Sequence, residues 1–193
     1  MRRLFVAVWP PDEVLDLLAG LDRPAVDGLR WSARHQWHVT LRFLGPVPEV
    51  EPVALALDGL SAPRPVNAVL GPAVGHFGQR ILHVPVGGID DVAVGVVAAT
   101  AGIGRPAEDR PFSGHVTLAR VAKRGNVDLR PLAGAPIAGE WEVGAVCLVE
   151  SRLSPHGAHY EVLDEFPIRQ PPRPAAGAGA PPPVPAGGPR RTS

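Results

Sequence analysis

The chain has 193 residues, 45% hydrophobic and 20% charged, and its 19 basic and 19 acidic residues cancel. That length suits one domain, or one built of two similar halves, with a sizeable core. A neutral balance argues against broad binding to long nucleic acid, but leaves room for a short nucleotide end in a local basic pocket.

The opening MRRLFVAVWPPDEV has two arginines before an apolar run, as an export signal does. The run is too short, and Pro10, Pro11, Asp12 and Glu13 end it at once. Residues 3–9 are therefore expected as a buried strand. Residues 11–21 follow as a helix, with Pro11 near its start and Asp12, Glu13 and Asp16 in its early turns. Strands are expected over 29–32 and 37–43, then a helix over 49–60. Residues 66–74 and 80–86 read as strands around a turn containing Gly75 and Gly78. A helix capped by Asp90 or Asp91 spans 90–101. Strands over 115–121, 140–150 and 159–168 complete the set, the last two joined through the turn SPHG. No run approaches the ~20 apolar residues of a membrane span.

Cys147 is the only cysteine. It excludes an intrachain disulfide and a cysteine metal cluster, and fits a reducing cytoplasm. Within the apolar VGAVCLV it reads as a small core residue. Residues 171–193 are mostly Pro, Gly and Ala, with no aromatic or acidic side chain. Such a stretch buries too little apolar surface to offset its ordering entropy, so a disordered tail is expected beyond a folded unit of residues 1–170. The interleaved strands and helices indicate an α+β fold of two lobes with a cleft between them.

One tetrapeptide occurs twice: HVTLRFLG begins at His38 and HVTLAR at His115. The chain has seven histidines, and two of them open the same motif. Alternation along a strand puts His38 and Thr40 on one face, His115 and Thr117 likewise, with the aliphatic residues anchoring the opposite face. Two imidazoles with ordinary pKa values near ~6.5 can act as a neutral base and a protonated acid together. Threonine hydroxyls can donate to non-bridging oxygens, and the set suits in-line displacement at phosphorus.

By the same alternation Arg42 falls on the His38 face, at the rim of the site. Arg120 falls opposite His115 and needs a twist or bulge to reach the cleft and neutralise phosphate. Phe43 is suited to stack on a base or to the core. Trp31 and Trp37 pack or line the cleft edge, and Tyr160 is a candidate through the closing hairpin. His35 with His38, and His156 with His159, form HxxH pairs of poor metal geometry without a completing carboxylate or cysteine. No metal site is therefore expected. His76 and His83 have no partner motif.

These residues resemble the 2H phosphoesterase superfamily, and most of all the RNA 2′,3′-cyclic phosphodiesterases, also called 2′-5′ RNA ligase-like proteins. HVTLRFLG and HVTLAR resemble its two HxTx motifs. RRLFVAVWPPDEV, LRWSARHQWHVTLRFLG, RPFSGHVTLARV and LVESRLSPHGAHYEVLDEFPI resemble its opening, two motif-bearing and closing segments, with Ser151, Leu153, Gly157 and Tyr160 in matching places. The resemblance spans residues 2–168. It implies a bilobal, pseudo-symmetric α+β fold of two antiparallel lobes with outer helices, and hydrolysis of an RNA 3′-terminal 2′,3′-cyclic phosphate to a 2′-phosphate without metal or cofactor. It implies His38 as proton donor, His115 as proton acceptor, and Thr40 and Thr117 on the phosphate, with roles exchanged in the ligating direction. The partners implied are RNA 3′ ends or short oligonucleotides, tRNA fragments among them, met by a monomer. Close alternatives are a 2′,5′-oligonucleotide or small-nucleotide cyclic phosphodiesterase. A non-catalytic RNA-end binding module is a reading of another class.

Overall fold

The computed structural model describes residues 1–62, 64–154 and 157–170. The Pro-rich stretch 171–193 and the centre of the SPHG turn lie outside those residues. The elements in chain order are β1 (Arg2–Val8), α1 (Asp12–Ala19), β2 (Leu29–Trp31), β3 (Val39–Val47), α2 (Glu51–Leu57), β4 (Asn67–Leu70), β5 (Gly75–Phe77), β6 (Ile81–Gly87), α3 (Asp90–Ala99), β7 (His115–Val121), β8 (Gly139–Glu142), β9 (Ala145–Ser154) and β10 (Gly157–Pro167). The fold is α+β and bilobal, as expected.

The strands form one antiparallel sheet in the order β10-β9-β1-β3-β7-β6-β4-β8, with β2 beside β7 and β5 beside β6. β3 and β7 are joined by a single residue pair, Val39 with Val116. Four strands on one side and the remainder on the other thus make two lobes that meet at one point. The helices compensate by crossing over. α1 follows β1 but packs near β8, and α3 leads into β7 but packs against β3. Each helix faces the core with residues three or four apart: Val14 and Leu18, Val53 and Leu57, Val92 and Val96.

β1 is buried on both faces, which explains its unbroken apolar run. Leu4, Val6 and Val8 enter the main core under the helices. Phe5 and Ala7 enter a smaller cluster on the other face with Val149, Trp9, Phe43, Cys147 and Tyr160.

Several expectations need correction. The strand expected over 66–74 stops at Leu70, because Gly71 adopts φ 111° and a Cβ there would lie 2.1 Å from the Ile137 carbonyl oxygen. Gly75 is not in a turn but opens β5, where it lies against the His83 ring. The strand expected over 140–150 divides into β8, paired with β4, and β9, paired with β1, as the chain passes between lobes. The expected aspartate cap of α3 is absent: Ile89 holds the cap position, and Asp90 and Asp91 lie inside the first turn, where the helix dipole favours them.

Arg42 is also misplaced by strict alternation. In the β1–β3 ladder Val6 faces Arg42 and Ala7 faces Thr40, so Leu41 is an extra residue, a β-bulge. The bulge turns Arg42 away from the cleft and into the protein, 6% exposed. There its guanidinium donates to the Val97 carbonyl and Thr100 Oγ1, both at 2.7 Å, and to the carbonyls of Arg105 at 3.2 Å and Ile103 at 3.4 Å. It binds the C-terminal end of α3, where the dipole favours a cation. Trp37 is fully buried in the main core, and Trp31 donates its indole N–H to the Pro24 carbonyl at 3.0 Å.

Candidate active site

The pair Val39–Val116 sits at the floor of the cleft with both side chains fully buried. Antiparallel register then sets His38 opposite Thr117 and Thr40 opposite His115, all four on the other face. All four line one cleft of about 730 Å³, within the range of roughly 300–1,000 Å³ usual for ligand sites. Arg30, His35, Arg120, His159 and Tyr160 also line it. Among the described residues lining it there is no carboxylate, so a chain of zero net charge presents a positive cleft.

The two motifs repeat in detail. His38 Nδ1 is 2.7 Å from the carbonyl of Gln36, and His115 Nδ1 is 2.8 Å from the carbonyl of Ser113. A carbonyl only accepts, so each Nδ1 carries the hydrogen and each Nε2 is left for proton exchange in the cleft. Gln36 also donates its side-chain amide to the Ala158 carbonyl at 2.7 Å, tying the segment before His38 to the closing hairpin.

The bulge repeats too. Across β6 and β7, Leu82 faces Ala119 and His83 faces Thr117, which makes Leu118 the extra residue. Leu41 and Leu118 hold the same place in the two HVTL motifs, and the burial patterns of the two segments match through Arg42 and Ala119, before a half-buried Phe43 stands against an exposed Arg120. After the bulge Arg120 returns to the cleft face, and its Nη2 lies 3.4 Å from Thr117 Oγ1. Its counterpart after Leu41 is Phe43. Phe43 packs under Arg3, whose guanidinium lies 4.7 Å from the ring centroid, and is not among the cleft-lining residues.

Each histidine has its own aromatic surround. The His38 ring lies 5.0 Å from Phe5, 5.1 Å from Trp9 and 4.9 Å from Tyr160, centroid to centroid. His115 meets Phe77 edge-on at 4.9 Å and His83 at 5.5 Å. His83 is 7% exposed, stacks flat on Phe77 at 3.8 Å, and its Nδ1 has no hydrogen-bond partner among the described residues. Sequence reasoning missed Phe5, Trp9, Phe77 and His83 as neighbours of the two histidines. The shared face of Phe5, Ala7 and Trp9, opposite Leu4, Val6 and Val8, is a usable signal; the approach of His83 depends on strand register alone.

No protein-family model matches the chain. It is 33% identical over 184 residues to an RNA 2′,3′-cyclic phosphodiesterase of Thermus thermophilus, across 86% of this chain and 90% of that protein. The chain belongs to the RNA 2′,3′-cyclic phosphodiesterase family. A crystal structure from Thermus thermophilus superimposes with TM-score 0.71 at 34% identity, covering 87% of this chain and 98% of that one. Escherichia coli LigT complexed with 3′-AMP superimposes with TM-score 0.66 at 23% identity, covering 88% and 99%. At that identity the likeness is one of fold.

In this family member the cleft is tuned toward neutral imidazoles. Burial pushes His38 down to about 4, against the Gln36 carbonyl, which favours the charged ring; the positive Arg120 and His115 add to the depression. Burial also lowers His115, opposed by the Ser113 carbonyl and assisted by Arg120 and Arg110. Cys147 is pushed up to about 11 by burial and by the charge of Glu165, so it is an inert thiol in the second cluster. Among the described residues no group of three His, Cys, Asp or Glu is placed to hold a metal. No helix among them is long and apolar enough to cross a membrane.

Proposed function

We propose that the protein hydrolyses the 2′,3′-cyclic phosphate at RNA 3′ ends, leaving a 2′-phosphomonoester, without a metal ion. The reading rests on one observation: His38, Thr40, His115 and Thr117 share one face around the Val39–Val116 pair, with both Nδ1 atoms committed to carbonyls. A water oxygen attacks phosphorus as His115 Nε2 takes its proton. The bond from phosphorus to O3′ breaks, and O3′ takes a proton from His38 Nε2. The acid and base places follow the family resemblance. Thr40, Thr117 and Arg120 offer donors to the non-bridging oxygens as negative charge builds there. Tyr160 shapes the wall beside His38. With a 5′-hydroxyl in place of water as the nucleophile, the same groups in the same roles would join a cyclic phosphate to it as a 2′-5′ linkage, and they exchange roles when that linkage is cleaved back to the cyclic phosphate.

His38 at about 4 is neutral in the free protein near neutrality. The phosphodiester anion, once bound, favours the charged ring and loads the donor.

The test is incubation of the protein, in EDTA, with a short RNA ending in a 2′,3′-cyclic phosphate, and assignment of the product by phosphorus NMR. A 2′-phosphate is expected, and its loss in His38→Ala and His115→Ala ties it to the pair. A 3′-phosphate would overturn the regiochemistry. RNA binding without turnover would replace the enzyme by a binding module.

A further inference from the structure

Arg30 on β2 and Arg120 on β7 are register partners. Side chains directly opposite in an antiparallel ladder project from the same face, where like charges repel. Both arginines line the cleft and are exposed, and neither has a carboxylate partner among the described residues. By contrast Arg34, from the turn just after β2, is held by Asp12 at 3.0 Å and Asp16 at 2.7 Å. A repelling pair left uncompensated over a positive cleft is a place for an anion.

Position says which anion. The head of Arg120 lies on Thr117, at the reacting end of the cleft. Arg30 lies beyond it by one strand spacing, about 4.8 Å. The cations thus run outward from the histidine pair in a line, as the charges of an RNA strand run back from its 3′ end, one per nucleotide. The cleft volume of about 730 Å³ sits in the upper part of the ligand-site range, roughly 300–1,000 Å³, and leaves space past one nucleotide.

We propose that Arg30, one strand beyond Arg120 and the terminal phosphate, forms a second anion subsite that takes the internucleotide phosphodiester immediately 5′ of the terminal cyclic phosphate, selecting oligonucleotide over mononucleotide ends. This rests on the RNA-end reading of the cleft. Arginine suits it because a planar guanidinium can meet two oxygens of one phosphate.

The test is calorimetric binding to the full chain of two ligands that are not turned over, adenosine 3′-phosphate and the dinucleotide ApA 3′-phosphate. The expected ratio of affinities is tenfold or more in favour of the dinucleotide, about 1.4 kcal/mol. Arg30→Gln is expected to bring that ratio down about tenfold and to reduce the salt slope of dinucleotide binding by about one. Arg30→Lys restores part of the ratio, which a loss of structure would not. A ratio near one in the unaltered protein, or an unchanged ratio in Arg30→Gln, overturns the subsite. The ligands are inert, so the two readings fail separately. Tight dinucleotide binding with no hydrolysis of a cyclic phosphate refutes the reaction and keeps the subsite. Hydrolysis with a ratio of one does the reverse.

Discussion

Val39 and Val116 form the single rung between the two lobes, and the site is assembled on the far side of that rung. Their fully buried side chains fix the register, and the register fixes which groups meet. A slip of either strand by one residue would send its imidazole into the core. The two motifs also share a bulge at Leu41 and Leu118 and a carbonyl two residues before each histidine. The repetition is therefore of a complete local structure, not of four letters.

The first prediction concerns the pair as a unit. His38→Ala and His115→Ala are each expected to lower kcat by about 10²–10⁴, the range for loss of a general acid or base. Since the proposed mechanism uses both in one displacement, the double variant should be scarcely slower than the worse single one. Single-turnover rates on a cyclic-phosphate RNA measure this. Losses that multiply would mean that the histidines act in separate steps.

The pH dependence has a defined direction. In the proposed mechanism the competent free protein has His38 protonated and His115 neutral. His38 at about 4 loses its proton as pH rises through that value, and His115 gains one as pH falls through a value below its ordinary 6.5. The profile of kcat/KM is then a bell whose two apparent pKa values belong to the pair and both lie below 6.5. Its optimum is expected on the acid side of neutrality, with the kcat optimum at higher pH because the bound anion raises both rings. An optimum of kcat/KM above about pH 7.5 would contradict the depression of His38.

The same burial makes folding sensitive to acid. His83 and His38 each sit at about 4, against 6.5 when unfolded. Between those values the unfolded chain binds more protons, so stability rises with pH there. Stability is expected in full above about pH 6.5 and lost as pH falls toward 4. His83→Phe, which can keep the flat contact on Phe77, should remove part of that loss while leaving the unfolding midpoint at about pH 7.5 nearly unchanged. Urea unfolding at about pH 7.5, 5.5 and 4.5 measures it. An acid loss as large in the variant as in the parent would clear His83 of the effect.

Much of the site is legible in the sequence because strand alternation is a short-range property. His38, Thr40, His115 and Thr117 need only their own neighbours to be placed on one face. Arg120 and Arg42 need the bulges, and a bulge is set by the partner strand. The sequence shows that Arg120 requires one to reach the cleft, whereas unbroken alternation carries Arg42 to the wrong side. His83 reaches His115 only through the pairing of β6 with β7, which no stretch of β6 encodes by itself. The fold class is legible in the order of apolar runs. The exchange of α1 and α3 between lobes is not, since it depends on which face is left uncovered once the sheet has formed.

Arg42 gives the last prediction. The lobes meet at one sheet rung, so their relative placement depends on α3 lying against β3, and Arg42 is the polar fastening between those two elements. Removing it strands the Val97, Ile103 and Arg105 carbonyls, which lose donors from a charged group. Arg42→Leu fills most of the volume and supplies no donor. It is expected to destabilise by about 2–3 kcal/mol, the upper part of the range for hydrogen bonds to a charged group. Arg42→Lys keeps the charge without the planar fork and should recover only part of that. Equilibrium urea unfolding at about pH 7.5 reads both as a lower midpoint at constant slope. A loss under about 0.5 kcal/mol, the scatter of an ordinary surface substitution, would show that apolar packing of α3 alone holds the lobes in place.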